Sequence, residues 1–252
     1  MSTSAIDWPY PTLIAHRGAG KQAPENTLAA FRLGAAHHFQ MMEYDVKLSA
    51  DGYAILLHDD TVDRTSNGHG LASEHTLAQL MQLDFGSWLT TEYVAEPICT
   101  LYTVARYTLA QGIHSNIEIK AETGFEAETG AVVARLAQQL WAQATVPPLL
   151  SSFSETTLEA ARLVAPELPR ALLIEGAVPA DVVQRLQRLE CIALNTDDNH
   201  TDQALVRHLV DQGYALGVWT VNQPQRAQQL LDWGCKSIFT DAIDCINPAH
   251  EF

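Results

Sequence analysis

Short apolar runs alternate with amphipathic segments along almost the whole chain. Several of the runs are continuously apolar, as in strands that are buried on both faces of a sheet. The runs lie at residues 13–15, 42–46, 117–119, 149–152, 171–174, 192–194, 215–218 and 237–239. Between them, apolar residues recur at helical spacing, for example Leu28, Phe31 and Ala35, after Asn26 as the expected N-cap. Eight strands alternating with helices predict an α/β protein, a closed (β/α)8 TIM barrel rather than an open sheet.

The spacing of the strands is regular except at one place. The gap between Val46 and Ile117 is too long for one crossover helix. It contains a predicted hairpin, turned at residues 49–52 and returning through residues 53–58, and a short helix near residues 76–83. We therefore predict a single domain over residues 1–252, with an insertion at about residues 59–100 built on the loop after the second strand.

The composition narrows the classes of partner. The chain has 252 residues, 47% of them hydrophobic, and 15 basic against 30 acidic side chains, a formal net charge of −15. It has no Lys/Arg cluster of the kind that nucleic acids require, so we exclude them as partners. No stretch could span a bilayer, and the first eleven residues lack the pattern of a secretion signal. Four scattered cysteines are expected to be free thiols. We expect a cytoplasmic monomer or homodimer without stable membrane association.

Polar side chains follow the predicted strands at their carboxyl ends, where the active sites of such barrels lie. Side chains two residues apart share a face of a strand, so Glu43 and Asp45 point together, as do Glu118 and Lys120. Two carboxylates about 5 Å apart repel by about 3 kcal/mol at an effective dielectric constant of about 20, so three require protons or a cation. Oxygen ligands without cysteine favour Mg²⁺ or Ca²⁺ over zinc.

The other residues at these strand ends suit a phosphate group. Arg17 offers a planar fork for two phosphate oxygens, and Lys120 offers a point charge. His16 and His58 each end an apolar run, and cleavage of a phosphodiester needs one proton removed and one donated. We therefore predict that the two histidines form an acid–base pair.

Simpler interpretations of several of these residues stay open. Lys120 could be only a structural ion-pair partner of Glu118, and Trp219 could belong to the barrel core. Asp241 could cap the turn that follows it. The acidic segment at residues 194–200, expected to be a loop at the barrel mouth, could repel an anionic head group or bind a second cation.

The chain resembles the glycerophosphodiester phosphodiesterase family of bacterial cytoplasmic type from His16 to Asp241. The matching motifs include His16-Arg17-Gly18, Pro24-Glu25-Asn26-Thr27, Glu43-Tyr44-Asp45-Val46, His58-Asp59, Arg64-Thr65, Asn116-Ile117-Glu118-Ile119-Lys120, Ser152-Phe153, Gly217-Val218-Trp219 and Thr240-Asp241. The resemblance implies the same barrel with a small insertion after the second strand. It implies one divalent cation on Glu43, Asp45 and Glu118. It further implies His16 and His58 as general base and acid, Arg17 and Lys120 on the phosphate, and Phe153 and Trp219 beside the glycerol, with Glu25 in support.

The resemblance also implies an activity. Family members release an alcohol and sn-glycerol 3-phosphate from glycerophosphodiesters, with the substrate's own glycerol hydroxyl as the attacking group. Two alternatives remain, a phospholipase D-like relative that cleaves lysophospholipids and a non-catalytic protein that binds glycerophosphodiesters. The preferred alcohol and the choice between Mg²⁺ and Ca²⁺ stay open.

Overall fold

Parallel strands close into a barrel along most of the chain. The computed structural model describes residues 8–249. Residues 1–7, on which part of the expectation about a secretion signal rests, and residues 250–252 lie outside that range. The strands are β1 (Leu13–Ala15), β2 (Met41–Leu48), β3 (Ala54–Leu56), β4 (His114–Ile119), β5 (Leu149–Ser152), β6 (Arg170–Ile174), β7 (Ala193–Asp197), β8 (Ala215–Trp219) and β9 (Ser237–Thr240). All except β3 pair in parallel in chain order, and β1 pairs with both β2 and β9, so the sheet closes.

Helices follow the strands and cover the outside of the barrel. They are α1 (Leu28–Ala36), α2 (Leu77–Leu80), α3 (Leu101–Gln111), α4 (Glu126–Leu140), α5 (Glu155–Val164), α6 (Val182–Leu189), α7 (Gln203–Asp211) and α8 (Pro224–Trp233). Their apolar faces form the main core against the sheet, as where Phe31 meets Tyr44 edge to face at 5.4 Å between ring centroids. Within residues 8–249, no helix has the length and apolar character needed to cross a membrane.

Helix α1 begins differently from the prediction. Asn26 is not its N-cap, because its φ of 61° lies in the left-handed region, whereas a capping residue is extended. Thr27, with φ −111°, has the required backbone, and its hydroxyl accepts a hydrogen bond from the Ala30 amide. The side chain of Asn26 is thereby released for a contact inside the barrel.

The segment after β2 forms the predicted insertion. Strand β3 pairs antiparallel with β2, which confirms the hairpin. Helix α2 starts with a reciprocal capping box between Thr76 and Gln79. The insertion has an apolar cluster of its own, made by Ile55, Leu57, Val62, Ala72, Leu80, Phe85 and Ile98. A (β/α)8 barrel with a small insertion after its second strand is therefore confirmed.

The interior of the barrel changes from apolar to charged along the strands. At its amino-terminal end a cluster that includes Ile14, Met41, Leu149 and Ala171 fills the space. Because alternate residues of a strand point inward, the next inward positions after Met41 are Glu43 and then Asp45. The core therefore gives way to charged groups at the carboxyl ends of the strands.

Candidate active site

Three buried carboxylates meet at the carboxyl ends of β2 and β4. Asp45 is in direct register with Glu118 across the two strands, and Glu43 is one inward position earlier. Each of the three offers an oxygen within 4.8 Å of the others. They are only 3%, 1% and 8% exposed for Glu43, Asp45 and Glu118, so they are not a solvated face of the sheet. The structure thus brings together all three residues predicted as metal ligands.

The electrostatics of this cluster favour neutralisation by an added charge. Burial, followed by the charge of Asp45, raises the pKa of Glu43 to about 8 and also raises the pKa of Glu118. Burial opposes ionisation of Asp45 as well, but Arg17, His58 and Lys120 hold its pKa below the usual range. Glu43 Oε1 is buried without a hydrogen-bond partner in residues 8–249. Hard oxygen donors, one of them unpartnered, suit a divalent cation, and the cluster could hold one.

We expect Mg²⁺ or Ca²⁺ to stabilise the metal-free protein more strongly at pH 8 than at pH 5.5. The pKa of Glu43 is about 8 in the fold against an ordinary 4.5, so between these values the folded protein binds more protons than the unfolded chain. Its stability therefore falls as the pH rises through this window. A cation replaces those protons, and at about 100 times its dissociation constant it contributes about 2.7 kcal/mol, or roughly 5–10 °C.

Thermal unfolding with and without cation, at both pH values, measures this effect. Glu118→Gln is expected to abolish most of the shift, whereas Glu159→Gln, an exposed residue on α5, is expected to retain it. A shift that is equal or larger at pH 5.5 would contradict the predicted proton competition.

Arg17 lies between this cluster and the loop after β1. Its backbone is left-handed at φ 51°, a conformation that is unfavourable for a residue with a side chain. Its amide donates to Glu43 Oε2 at 3.0 Å, which holds the turn in place. Its guanidinium donates from Nη1 to Glu25 Oε1 at 2.8 Å, and its Nε lies 3.4 Å from Asp45 Oδ2. Glu25, expected only to support the site, thus contacts Arg17 directly.

Asn26 is a site residue that the sequence did not identify. Its Nδ2 donates to Asp45 Oδ2 at 2.8 Å, and its Oδ1 accepts from the Asp45 amide at 3.1 Å. This two-way contact fixes the carboxylate of Asp45. The Pro24-Glu25-Asn26-Thr27 motif therefore supplies the helix cap through Thr27 and a contact inside the site through Asn26.

His16 is paired with a carboxylate from the last strand. Its Nδ1 lies 2.7 Å from Asp241 Oδ1, and its Nε2 lies 3.8 Å from Glu43 Oε2. Asp241 is not the cap of the next turn, since the Thr240 hydroxyl accepts the Ala242 amide there. Gly20 permits this approach, because a Cβ at that position would lie 2.2 Å from the Asp241 Cα. Asp241 therefore lies against His16 in the site and does not cap the turn that follows it.

His58 has the same type of partner on the insertion. Its Nδ1 lies 2.6 Å from Asp59 Oδ1, and its Nε2 lies 3.2 Å from Lys120 Nζ. Lys120 is also 3.1 Å from Glu118 Oε1, so it forms the predicted ion pair and faces the cleft as well. Asp59 was part of the matching His58-Asp59 motif but had no predicted role, although a carboxylate directly after a strand-ending histidine was a usable signal.

The two histidines have pKa values shifted in opposite directions. Burial alone would lower the pKa of His16, but the hydrogen bond with Asp241 and the charge of Glu43 raise it. Burial, together with the charges of Arg17 and Lys120, lowers the pKa of His58 despite the charge of Asp45. One imidazole therefore retains a proton more readily than the other, as an acid–base pair requires.

An apolar wall forms the other side of the cleft, whose volume is about 330 Å³. Phe153 and Trp219 meet edge to face at 5.7 Å between ring centroids, and Lys120 Nζ lies 5.3 Å from the Phe153 centroid. Trp219 therefore lines the cleft at the end of β8 and also packs against the apolar cluster inside the barrel. The lining also includes residues that the sequence did not identify: Asn116, Leu173, Glu175, Thr220 and Phe239.

The acidic segment at residues 194–200 is not wholly a loop, because β7 continues to Asp197. Its carboxylates already have partners. Asp197 accepts from the Gly176 amide at 2.7 Å and contacts His200 Nδ1 at 2.8 Å. Asp198 accepts from Arg226 Nε at 2.7 Å. Within the described range, these contacts account for the charges by internal pairing.

The fold and this cleft agree with the family that comparison with known proteins identifies. The model of the "Glycerophosphoryl diester phosphodiesterase family" matches residues 16–245. The chain belongs to this family of enzymes.

Individual relatives align with this chain over nearly its full length. A glycerophosphodiester phosphodiesterase of Caldanaerobacter subterraneus is 31% identical over 229 residues, 91% of this chain and 93% of the relative. One from Bacillus subtilis is 30% identical over 248 residues, 92% of this chain and 83% of the relative. A phosphodiesterase of Oleispira antarctica, solved with the product sn-glycerol-3-phosphate, has a TM-score of 0.87 and 35% identity, covering 92% of this chain and 94% of that one.

Proposed function

We propose that the protein is a metal-dependent phosphodiesterase that hydrolyses glycerophosphodiesters to an alcohol and sn-glycerol 3-phosphate. Family membership and the product bound to the Oleispira antarctica relative support the substrate class. The observation that carries the proposal is the buried carboxylate cluster, flanked in one cleft by two histidines that are each paired with an aspartate.

Glu43, Asp45 and Glu118 would hold the cation, either Mg²⁺ or Ca²⁺. When bound, it would supply Lewis-acid stabilisation of the charge that develops on the phosphate. Asn26 keeps Asp45 in place through its paired hydrogen bonds. The Arg17 amide does the same for Glu43.

Arg17 and Lys120 would bind the non-bridging oxygens of the phosphate. Both side chains line the cleft, and each pairs with a carboxylate of the proposed cation cluster, Arg17 with Asp45 and Lys120 with Glu118. A guanidinium fork and an ammonium group in a partly desolvated cleft stabilise added negative charge on phosphate. In this role the remaining N–H groups of both side chains would contact the phosphate. The hydrogen bond with Glu25 and the ion pair with Glu118 hold Arg17 and Lys120 in position.

His16 and His58 would transfer the protons. In each, the contact between Nδ1 and a carboxylate fixes the tautomer, so that Nε2 is the atom that exchanges a proton in the cleft. One imidazole removes the proton of the glycerol hydroxyl as its oxygen bonds to phosphorus and closes a cyclic phosphate. The other donates a proton to the departing alcohol oxygen as the bond between that oxygen and phosphorus breaks. When water then opens the cyclic phosphate, the two roles exchange.

Phe153 and Trp219 would contact the carbon atoms of the glycerol. Their rings form the apolar side of the cleft, opposite the charged cluster. Such a wall orients the glycerol, and the contact is favourable because it removes apolar surface of the substrate from water.

We also propose that residues 1–252 act as one domain in the cytoplasm, as a monomer or homodimer. The four cysteines are free thiols, three of them buried, which supports a reducing compartment.

Assays with two glycerophosphodiesters and one lysophospholipid test the proposed substrate class. With a divalent cation, glycerophosphocholine and glycerophosphoethanolamine are expected to yield sn-glycerol 3-phosphate, while lysophosphatidylcholine yields no lysophosphatidate. Faster cleavage of lysophosphatidylcholine would favour the phospholipase D-like alternative. Tight binding of glycerophosphocholine without product would favour the binding protein.

A further inference from the structure

Arg64, on the insertion, is bidentate to two carboxylates at once. Its Nε and Nη2 donate to the two oxygens of Asp59 at 2.7 and 3.0 Å. Its Nη1 and Nη2 donate to the two oxygens of Glu25 at 2.7 and 2.8 Å. Four hydrogen bonds from one planar guanidinium specify its orientation far more closely than a single ion pair does.

The two carboxylates that Arg64 joins are those that contact His58 and Arg17. Asp59 lies against His58 Nδ1 at 2.6 Å, and Glu25 accepts from Arg17 Nη1 at 2.8 Å. Charges alternate along the series from Arg17 through Glu25 and Arg64 to Asp59. One continuous network thus links the insertion to the loop after β1.

Lys47, on β2, holds the same part of the insertion in place through Asp59 and Asp60. It is almost fully buried, on the same face of β2 as Asp45, and its Nζ donates to the Asp60 carboxylate at 2.8 Å and to the Asp59 carbonyl oxygen at 2.5 Å. The backbone at Asp59 is therefore held, and Arg64 determines where its side chain points.

We propose that Arg64 is a positioning residue. It holds the side chains of His58 and Arg17 in place on the two sides of the proposed phosphate site. Without Arg64, the two carboxylates lose the cation that they share. Asp59 is then free to leave His58, and Glu25 has only Arg17 left to bind. The inference rests on the proposed function, because it assigns Arg64 to the same site.

This role predicts a loss of turnover without a matching loss of stability. Arg64 is 44% exposed, and exposed ion pairs typically contribute little to the stability of the fold. Replacement of a residue that orients groups in direct contact with a metal or substrate often lowers activity about 10–100-fold.

The test compares Arg64→Met and Arg64→Lys with a matched control. Arg185 also bridges two carboxylates, Asp181 and Glu155, and is 36% exposed, but neither partner contacts His58 or Arg17. We expect Arg64→Met to lower kcat for glycerophosphocholine about 10–100-fold with Tm nearly unchanged. Arg64→Lys should recover only part of kcat, because an ammonium cannot donate to both carboxylates in the same geometry. Arg185→Met should retain the kcat of the unmodified protein.

A double-mutant cycle separates this role from general damage. If Arg64 acts through Glu25, the loss in Arg64→Met combined with Glu25→Gln is smaller than the product of the two single losses. Full kcat in Arg64→Met, full recovery by Arg64→Lys, or losses that multiply would each overturn the proposal.

A second measurement is independent of turnover. ¹⁵N-histidine NMR spectra report the ratio of the two imidazole tautomers, and the His58→Gln variant assigns the His58 signals. We expect His58 to be mainly the tautomer protonated at Nδ1. Arg64→Met is expected to change the ratio of the two tautomers at His58. An unchanged His58 signal overturns the positioning role. Absence of turnover in the unmodified protein, with the NMR change present, would instead refute the proposed function alone.

Discussion

Replacement of His16 or His58 by alanine is expected to lower kcat by roughly 10²–10⁴-fold, with little change in Tm. Each imidazole presents Nε2 to the cleft while an aspartate holds its Nδ1, so neither can take over the geometry of the other. His114→Gln is the matched control. That histidine starts β4, at the opposite end of the barrel, and its replacement should leave kcat unchanged.

A substrate with p-nitrophenol as the leaving alcohol separates the two roles. This alcohol departs without a proton, so the variant that lacks the proton donor should regain much of its rate, and the variant that lacks the base should not. Recovery in both variants, or kcat near that of the unmodified protein in either, would contradict the acid–base pair.

Replacement of Glu118 by glutamine is expected to lower kcat/KM by more than about 10²-fold at a fixed cation concentration, since even residues that only orient metal ligands matter about 10–100-fold. The substitution keeps the shape but removes one of three converging charges. Because affinity for the cation is what is lost, a higher cation concentration should restore part of the rate.

Titration of Mg²⁺ and of Ca²⁺, followed by activity, measures this change. Glu128→Gln, an exposed carboxylate on α4, is the control and should titrate like the unmodified protein. An unchanged activation midpoint in Glu118→Gln would show that this residue is not a ligand.

The barrel and the central residues of the site were predictable because strands have a fixed period. Once residues 42–46 and 117–119 are strands, the two-residue repeat places Glu43, Asp45 and Glu118 on inward faces, and the barrel rule places their ends at the mouth. Parallel pairing of β2 with β4 then brings the carboxylates together. These steps depend only on local pattern and on the closure of the sheet.

The contacts that orient these groups were not predictable in the same way. Asp241 is 225 positions from His16, and it reaches the imidazole only because the barrel closes between β9 and β1. The left-handed backbone of Arg17 has no local sequence signal, since residues of this type rarely adopt it. Arg64 lies in an irregular stretch, where no period relates its position to that of Glu25.

The most direct test of the central claim is release of sn-glycerol 3-phosphate from glycerophosphocholine by metal-stripped protein, before and after cation is restored. Catalysis that depends on the Glu43, Asp45 and Glu118 cluster predicts no release without metal and full release on addition of Mg²⁺ or Ca²⁺, with the more effective ion identified by the same assay. Undiminished release from folded, metal-stripped protein would contradict the role of the cluster, and no release with either ion would contradict the proposed activity itself.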